Sequence, residues 1–535
     1  MGEVMMTISG GGTKREEELL LGIDFGTGGC KISAVTPEGE LLGEASVEYP
    51  TYHEHPGWSE QEPSDWFRAM CEALRILSGK GTDLSRVRAV AFDGSTHNAV
   101  LLDKGMKPVR RTIMWTDQRS VRECAFLKEK TSPSVFDTAW QMPAPTWTLP
   151  QLMWIAAHEP EIIRETKHIL FVKDYVRYLM TNLSATDRIE AQGTLFYDMA
   201  KQNWSEELFS FTGLSTETLP PLISPTDQAG RITPEAARLT GLPEGIPVIC
   251  GSSDSAAEDY GAGAIEAGDC IVKLATAGNV NVMTSRPHPS ERTLTYSHVI
   301  PGMWYTVSAT NAAALCQRWF RDLFCETEKK LAGQSGKSAY ELMNESAAES
   351  PPGSNGVFFH PYLQGERSPY WDASLRGSFT GVSVSSRKSD FLRAVLEGVA
   401  FSLLDCYGSI REMKLPVKRI ILIGGGARSA LWSRIVCDVF RLPLRIPSPG
   451  DASFGAALLA GTGAGFFKDP REAVQRCLKV QHALEPEESA ADRYAELFPV
   501  YRNIHDALAS VYAAAGGKTQ DAGKDRGPTA SSSSH

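Results

Sequence analysis

The chain alternates short apolar runs with glycine- and proline-marked turns at its start. The apolar run at 19–24 stops at Gly26-Thr27-Gly28-Gly29. Runs at 31–36 and 41–49 follow, separated by Pro37-Glu38-Gly39. Short apolar runs bounded by turn residues predict strands, here a three-stranded meander. From Ser64, apolar Trp66, Phe67, Met70, Leu74 and Leu77 recur at helical spacing. Further strands are predicted at 87–92 and 246–250, and residues 120–212 read as mostly helical.

The same order recurs later. Strands are expected at 269–275, 280–283 and 304–308, then a helix carrying Trp319, Phe320 and Leu323. A helix at 390–413, a strand at 419–423, a glycine turn and a helix at 429–440 complete it. Meander, helix, strand, helix, read twice, predicts two related α/β halves. The seam is expected at Tyr260-Gly261-Ala262-Gly263-Ala264. Domains are therefore expected at 19–262 and 263–512. Residues 1–18 and 513–535, poor in apolar side chains, are expected to be disordered tails. The glycine-rich stretch 452–467 reads as a buried, tightly packed helix, shorter than the ~20 apolar residues that span a bilayer.

Composition narrows the class without naming a chemistry. The 535 residues include 54 Lys+Arg against 64 Asp+Glu, a net charge of −10, with 42% apolar residues. That excludes wholesale disorder and argues against a nucleic-acid partner or a membrane protein. None of the ten cysteines shows CxxC or zinc-ligand spacing. They read as reduced core thiols, which points to the cytoplasm.

Four glycine- or small-residue turns follow apolar strands. In Asp24-Phe25-Gly26-Thr27-Gly28-Gly29, backbone N–H groups can approach an anion closely, and Asp24 would sit beside phosphate-bound Mg²⁺. A plain hairpin has the same pattern. In Gly251-Ser252-Ser253-Asp254-Ser255, an Asp among small residues suits a general base, or else a helix N-cap. Ala275-Thr276-Ala277-Gly278 is a second phosphate cradle by the same logic. Gly424-Gly425-Gly426-Ala427 either opens space for a flat ligand or simply turns a strand into a helix. Gly336-Lys337-Ser338 ends like a P-loop but lacks the preceding glycine and strand, and is set aside as a solvated connection. His97, after a strand end, reads singly as a structural histidine, and Trp115-Thr116-Asp117-Gln118-Arg119 is a compact polar group with an aromatic, of the kind that grips a sugar, or else a capped helix start.

Taken in order, these pieces resemble the FGGY family of carbohydrate kinases, within the actin-like ATPase superfamily. The stretch Gly377-Ser378-Phe379-Thr380-Gly381-Val382, followed by Asp390 to Glu397, satisfies the family's second signature position by position. The other signature, around 148–158, is degraded at Gln151 and Ala157. Within the family the chain looks most like the xylulokinase branch, through Pro56-Gly57-Trp58-Ser59-Glu60-Gln61, His97-Asn98-Ala99, Trp115–Arg119 and Gly365-Glu366-Arg367-Ser368-Pro369.

The resemblance implies two actin-like (ribonuclease H-like) domains around a central cleft, and ATP-dependent phosphorylation of a terminal ketose hydroxyl. It matches Asp254 to the catalytic base and Asp24 to the catalytic Asp that holds the metal, Mg²⁺. Gly26, Thr27, Gly28, Thr276 and Gly278 match phosphate contacts, and Gly425, Gly426 and Ala427 the adenosine motif. Thr96, His97, Trp115, Asp117, Asp254 and Ser255 match the sugar side. D-xylulose is the first substrate expectation, and a homodimer is compatible with it. Three departures bear on the substrate. Ser95-Thr96-His97 stands for Gln-Met-His, Ser255 for Asn, and Asp93 for a small residue. The alternatives are a family kinase for L-ribulose, L-xylulose, a tetritol or glycerol, and an actin-like ATPase without sugar chemistry.

Overall fold

The computed structural model describes residues 18–131 and 134–522. Of the tails expected at 1–18 and 513–535, residues 1–17 and 523–535 lie outside the described residues. The meander is present as strands Leu19–Gly26, Gly29–Val35 and Leu41–Glu48. They form one side of a six-stranded sheet, with Val87–Gly94 and Pro247–Ser253 parallel to the first strand and Gln228–Arg231 antiparallel at the edge.

The second sheet repeats that pattern. Trp304–Thr310, Gly278–Thr284 and Asp269–Leu274 pair antiparallel, Arg419–Ile423 and Leu444–Pro447 continue in parallel, and Val480–Leu484 closes antiparallel. One strand is extra, Leu294–Ser297 at the outer edge. The two α/β halves expected from the repeated pattern are therefore two sheets of matching strand order.

Each meander buries one face under a helix. Pro63–Gly79 lays Trp66, Met70, Leu74 and Leu77, all fully buried, across the first. Lys388–Glu412 packs likewise on the second sheet. The signature residues of that helix build scaffold. Asp390 accepts hydrogen bonds from Ser350 Oγ (2.6 Å) and Asn355 Nδ2 (2.8 Å). Glu397 accepts from Gly353 N, Ser354 Oγ and Tyr494 Oη.

The helix Ala452–Gly463 comes from late in the chain yet packs on the first sheet and on helix Asp254–Gly261. Glycines make this approach possible. A Cβ on Gly22 would lie 1.8 Å from Ser453 O, and one on Gly455 would lie 2.0 Å from Ala257 O. Backbone therefore meets backbone at both crossings. Among the described residues, no helix is long and apolar enough to cross a membrane.

Two expectations need correction, and a third holds. The region 120–212 also holds strand, since His168–Phe171 pairs antiparallel with Ala99–Leu102. Residues 513–522, expected to be disordered, continue the last helix, Glu488–Ala522. Buried Tyr494 and Tyr501 anchor its first half, and extending an existing helix costs far less than nucleating one. The P-loop-like segment is the exposed connection expected of it: Gly336 and Lys337 link the helix Glu326–Ser335 to the helix Ala339–Ala348, and Lys337 pairs with Glu345 at 2.6 Å.

Candidate active site

Three carboxylates meet at the ends of neighbouring strands in the first sheet. Asp24 and Asp93 are register partners on parallel strands, so their side chains leave the same face side by side. Asp254 follows the adjacent strand, Pro247–Ser253, as the first residue of the helix Asp254–Gly261. Ser253 is the cap, accepting from Ala256 N, so Asp254 is not the N-cap and its carboxylate is left for other work.

Burial is the main reason both Asp24 and Asp93 are held above the usual carboxyl range. For Asp93 the neighbouring Asp24 adds to it; for Asp24 a hydrogen bond with Asp93 pulls the other way. Asp93 is fully buried, and neither of its oxygens receives a hydrogen bond. Burial also raises Asp254, opposed by the Lys273 ammonium and by hydrogen bonds from Ser255 and Thr96. Those donors favour the ionised form.

The expected sugar turn reaches Asp254 directly. Thr96 Oγ1 donates to Asp254 Oδ1 at 3.1 Å, and Ser255 N donates to the same oxygen at 2.7 Å. His97 is held in the left-handed region (φ 55°), a conformation non-glycine residues adopt only when neighbours enforce it. Both of its backbone groups are fixed. His97 N donates to Glu190 Oε1 at 2.5 Å, and Thr148 Oγ1 donates to His97 O at 2.5 Å. Its ring lies 4.9 Å from that of Trp147. Burial lowers His97 to about 3, so the imidazole is neutral at working pH.

The first phosphate turn is tied to the same place. Trp115 Nε1 donates to Thr27 Oγ1 at 2.9 Å, and Gln61 Nε2 donates to Thr27 O at 2.7 Å. A Cβ on Gly28 would meet nothing within 4 Å, so this turn stays open to a ligand. Residues Trp115 to Arg119 form loop rather than a helix start, since the next helix begins at Val121. Asp117, expected on the sugar side, is fully occupied elsewhere. Its oxygens accept from Ser59 N (2.6 Å) and from the Arg119 guanidinium (2.8 and 3.0 Å). It fixes the loop that carries Trp115.

The second half faces this cluster. Lys273, in the strand before the second cradle, reaches across to Glu258 of helix Asp254–Gly261 at 2.5 Å. The Thr276 side chain is exposed, and its carbonyl accepts from Ala313 N at 3.0 Å. Gly278 is packed, its added Cβ falling 3.0 Å from Ala313 Cβ. The triple glycine forms a short 3₁₀ turn, Gly425–Arg428. There Gly425 borders open space, while Gly426 packs against Leu274 and Trp432. Ala427 is partly buried.

Glu190 and Lys273 were not singled out by sequence reasoning, and Asp93 only as a departure from the family's pattern beside the pocket. Asp93 ends an apolar strand just as Asp24 does, a usable signal. Lys273 and Glu190 carry none, because only the folding of distant segments brings them to Asp254 and His97. All ten cysteines are free and none joins the site.

Comparison with known proteins gives the arrangement its relatives. The N-terminal domain of the FGGY family of carbohydrate kinases matches residues 19–261, and the C-terminal domain of that family matches residues 272–464. The xylulose kinase of Bacillus subtilis is 31% identical over 493 residues, 91% of this chain and 96% of that one. The xylulose kinase of Escherichia coli is 32% identical over 497 residues, 92% and 99%. Among solved structures, one described as a "xyloylose kinase" from Brucella ovis superposes with a TM-score of 0.83 at 30% identity, covering 92% of this chain and all of that one. With matching domains over most of its length and this two-sheet architecture, the chain belongs to the FGGY family of carbohydrate kinases.

Proposed function

We propose that the chain transfers the γ-phosphoryl group of ATP to the terminal hydroxyl of a ketose, D-xylulose in the first place. The observation that carries this reading is the position of Asp254, bonded to Thr96 of the sugar turn and facing Lys273 of the opposite half. Asp254 accepts the hydroxyl proton as the substrate oxygen forms its bond to phosphorus and the bond to the ADP oxygen breaks. Phosphoryl transfer asks chiefly for such positioning and for charge stabilisation. The open turn at Gly26-Thr27-Gly28 and the turn Thr276 to Gly278 supply backbone N–H donors from opposite sheets. Lys273 adds a cation between them, and the rim at Gly425 and Ala427 receives the adenosine. Thr96, His97, Trp115 and Ser255 line the sugar side.

Asp24 fits a hard cation: it is an oxygen ligand with one buried, unpartnered atom at the mouth of the phosphate turn. Among the described residues, no group of three His, Cys, Asp or Glu could hold an ion alone. Mg²⁺ held by Asp24 would supply charge neutralisation for the phosphates.

The test is ADP release across a panel of ketoses and polyols. D-xylulose is expected to give the highest kcat/KM. A clear preference for L-ribulose, L-xylulose, a tetritol or glycerol would move the substrate, and ATP turnover that no sugar stimulates would sink the kinase reading. The pocket departures at Thr96, Ser255 and Asp93 make that comparison informative, because losing one hydrogen-bond partner in a buried site shifts preference by orders of magnitude.

A pH prediction follows from His97. Because burial holds it near 3, it contributes a neutral imidazole across the working range. The ketose KM is expected to show no His97 step between about pH 6 and 8, where an ordinary histidine titrates. A sigmoidal KM centred near 6.5 that disappears in His97→Asn would contradict this.

A further inference from the structure

The helix Arg188–Gln192 sits between the sugar turn and the second sheet, and holds both. On one side, Glu190 fixes His97 N. Gly193, just past the helix, packs so closely that a Cβ there would lie 2.8 Å from both His97 Cδ2 and Thr96 Cγ2. The helix cannot shift without moving that turn. It is anchored to the first half by Asp187, which caps it, binds Lys173 at 2.8 Å and accepts from Ser252 Oγ at 3.1 Å.

On the other side stands Leu294–Ser297, the outermost strand of the second sheet. An edge strand leaves a row of backbone donors and acceptors without strand partners. Here glutamine side chains of the first half take them. Gln141 Nε2 donates to Thr295 O at 2.8 Å. Gln192 Oε1 accepts from Ser297 N at 2.8 Å, and Gln192 Nε2 donates to Ser297 Oγ at 2.7 Å. Gln192 is 3% exposed, so both bonds are shielded from water. The edge strand pairs with Trp304–Thr310, whose last residue, Thr310, is the register partner of Gly278 in the second phosphate turn.

We propose that Gln192 is a positioning residue that ties the His97 sugar turn to the Thr276–Gly278 phosphate turn, so that sugar and nucleotide raise each other's affinity. The proposal rests on the sugar-kinase reading above. The contact is uncharged and two-point, so it transmits orientation more than attraction, and the coupling it carries is reciprocal.

The experiment is calorimetric titration of the full chain with the non-hydrolysable analogue AMP-PNP, with and without saturating D-xylulose or whichever panel sugar the protein binds. In the unaltered protein the sugar is expected to tighten AMP-PNP about 10-fold. Gln192→Ala is expected to reduce that factor to about twofold or less; Ser297→Ala, which keeps the Ser297 N–H bond to Gln192, is expected to reduce it partway, and the double variant no further than Gln192→Ala, because the two residues form one contact. AMP-PNP affinity without sugar is expected to stay within about twofold, which separates coupling from loss of fold. Ser297→Thr, which keeps both bonding groups, is expected to retain the coupling. Full coupling in Gln192→Ala, or sugar binding without coupling in the unaltered protein, overturns the proposal and leaves the kinase reading intact. Binding of no sugar at all sinks that reading and the relay with it.

Discussion

Asp254→Asn is expected to lower kcat about 1,000-fold, within the span attributed to a positioned general base. An amide of the same shape keeps the acceptor for Ser255 N and Thr96 Oγ1 but cannot take the hydroxyl proton. The fold should not suffer, since burial already penalises the charged Asp254 and the amide removes that charge. The combination is diagnostic: kcat collapses while the thermal midpoint holds or rises and the ketose still binds. Steady-state kinetics with a thermal melt checks it. Turnover within tenfold of the unaltered enzyme (about 1.4 kcal/mol) would remove Asp254 from the base role.

Gly22→Ala is expected to be among the most damaging small substitutions in the first sheet. The added methyl would sit 1.8 Å from Ser453 O and 2.5 Å from Ala457 N, both backbone atoms of the crossing helix. No rotamer relieves a clash with backbone, so strand and helix must part along their contact. We expect a loss of about 3–5 kcal/mol, above the usual overpacking range because no side chain can yield. At roughly 2–4 °C per kcal/mol, the transition of the first half should fall by about 10 °C. Gly333→Ala is the control, since Gly333 is an exposed helix residue with nothing within 4 Å of its added Cβ. It is expected to stabilise by about 0.5–1 kcal/mol through the unfolded chain. A Gly22→Ala protein that melts with the unaltered one would mean that the helix does not press on the strand in solution.

The same contrast separates what was readable in the sequence from what was not. Asp24 and Asp254 were legible because each ends an apolar strand at a small-residue turn, a signal confined to a few neighbouring positions. Asp93 carries that signal too and reads as a departure near the pocket, but only the register places it beside Asp24. Asp117 was misread as a sugar contact because its neighbours are polar and aromatic, while Ser59 and Arg119 take its oxygens. The stretch 377–397 identified the family most specifically, yet its carboxylates hold scaffold.

The sequence by itself determined most of the elements, their repetition in two halves, and the two carboxylates and glycine turns on which the proposed chemistry rests. These depend on local periodicity and turn chemistry, which act over a handful of residues. Only the tertiary structure decided that Lys273 reaches Glu258, that Gln192 holds Ser297, and that the helix Ala452–Gly463 seals the first sheet. Such pairings lie tens to hundreds of residues apart along the chain. They are set by which faces pack and how closely backbones approach, quantities that no single window of sequence contains.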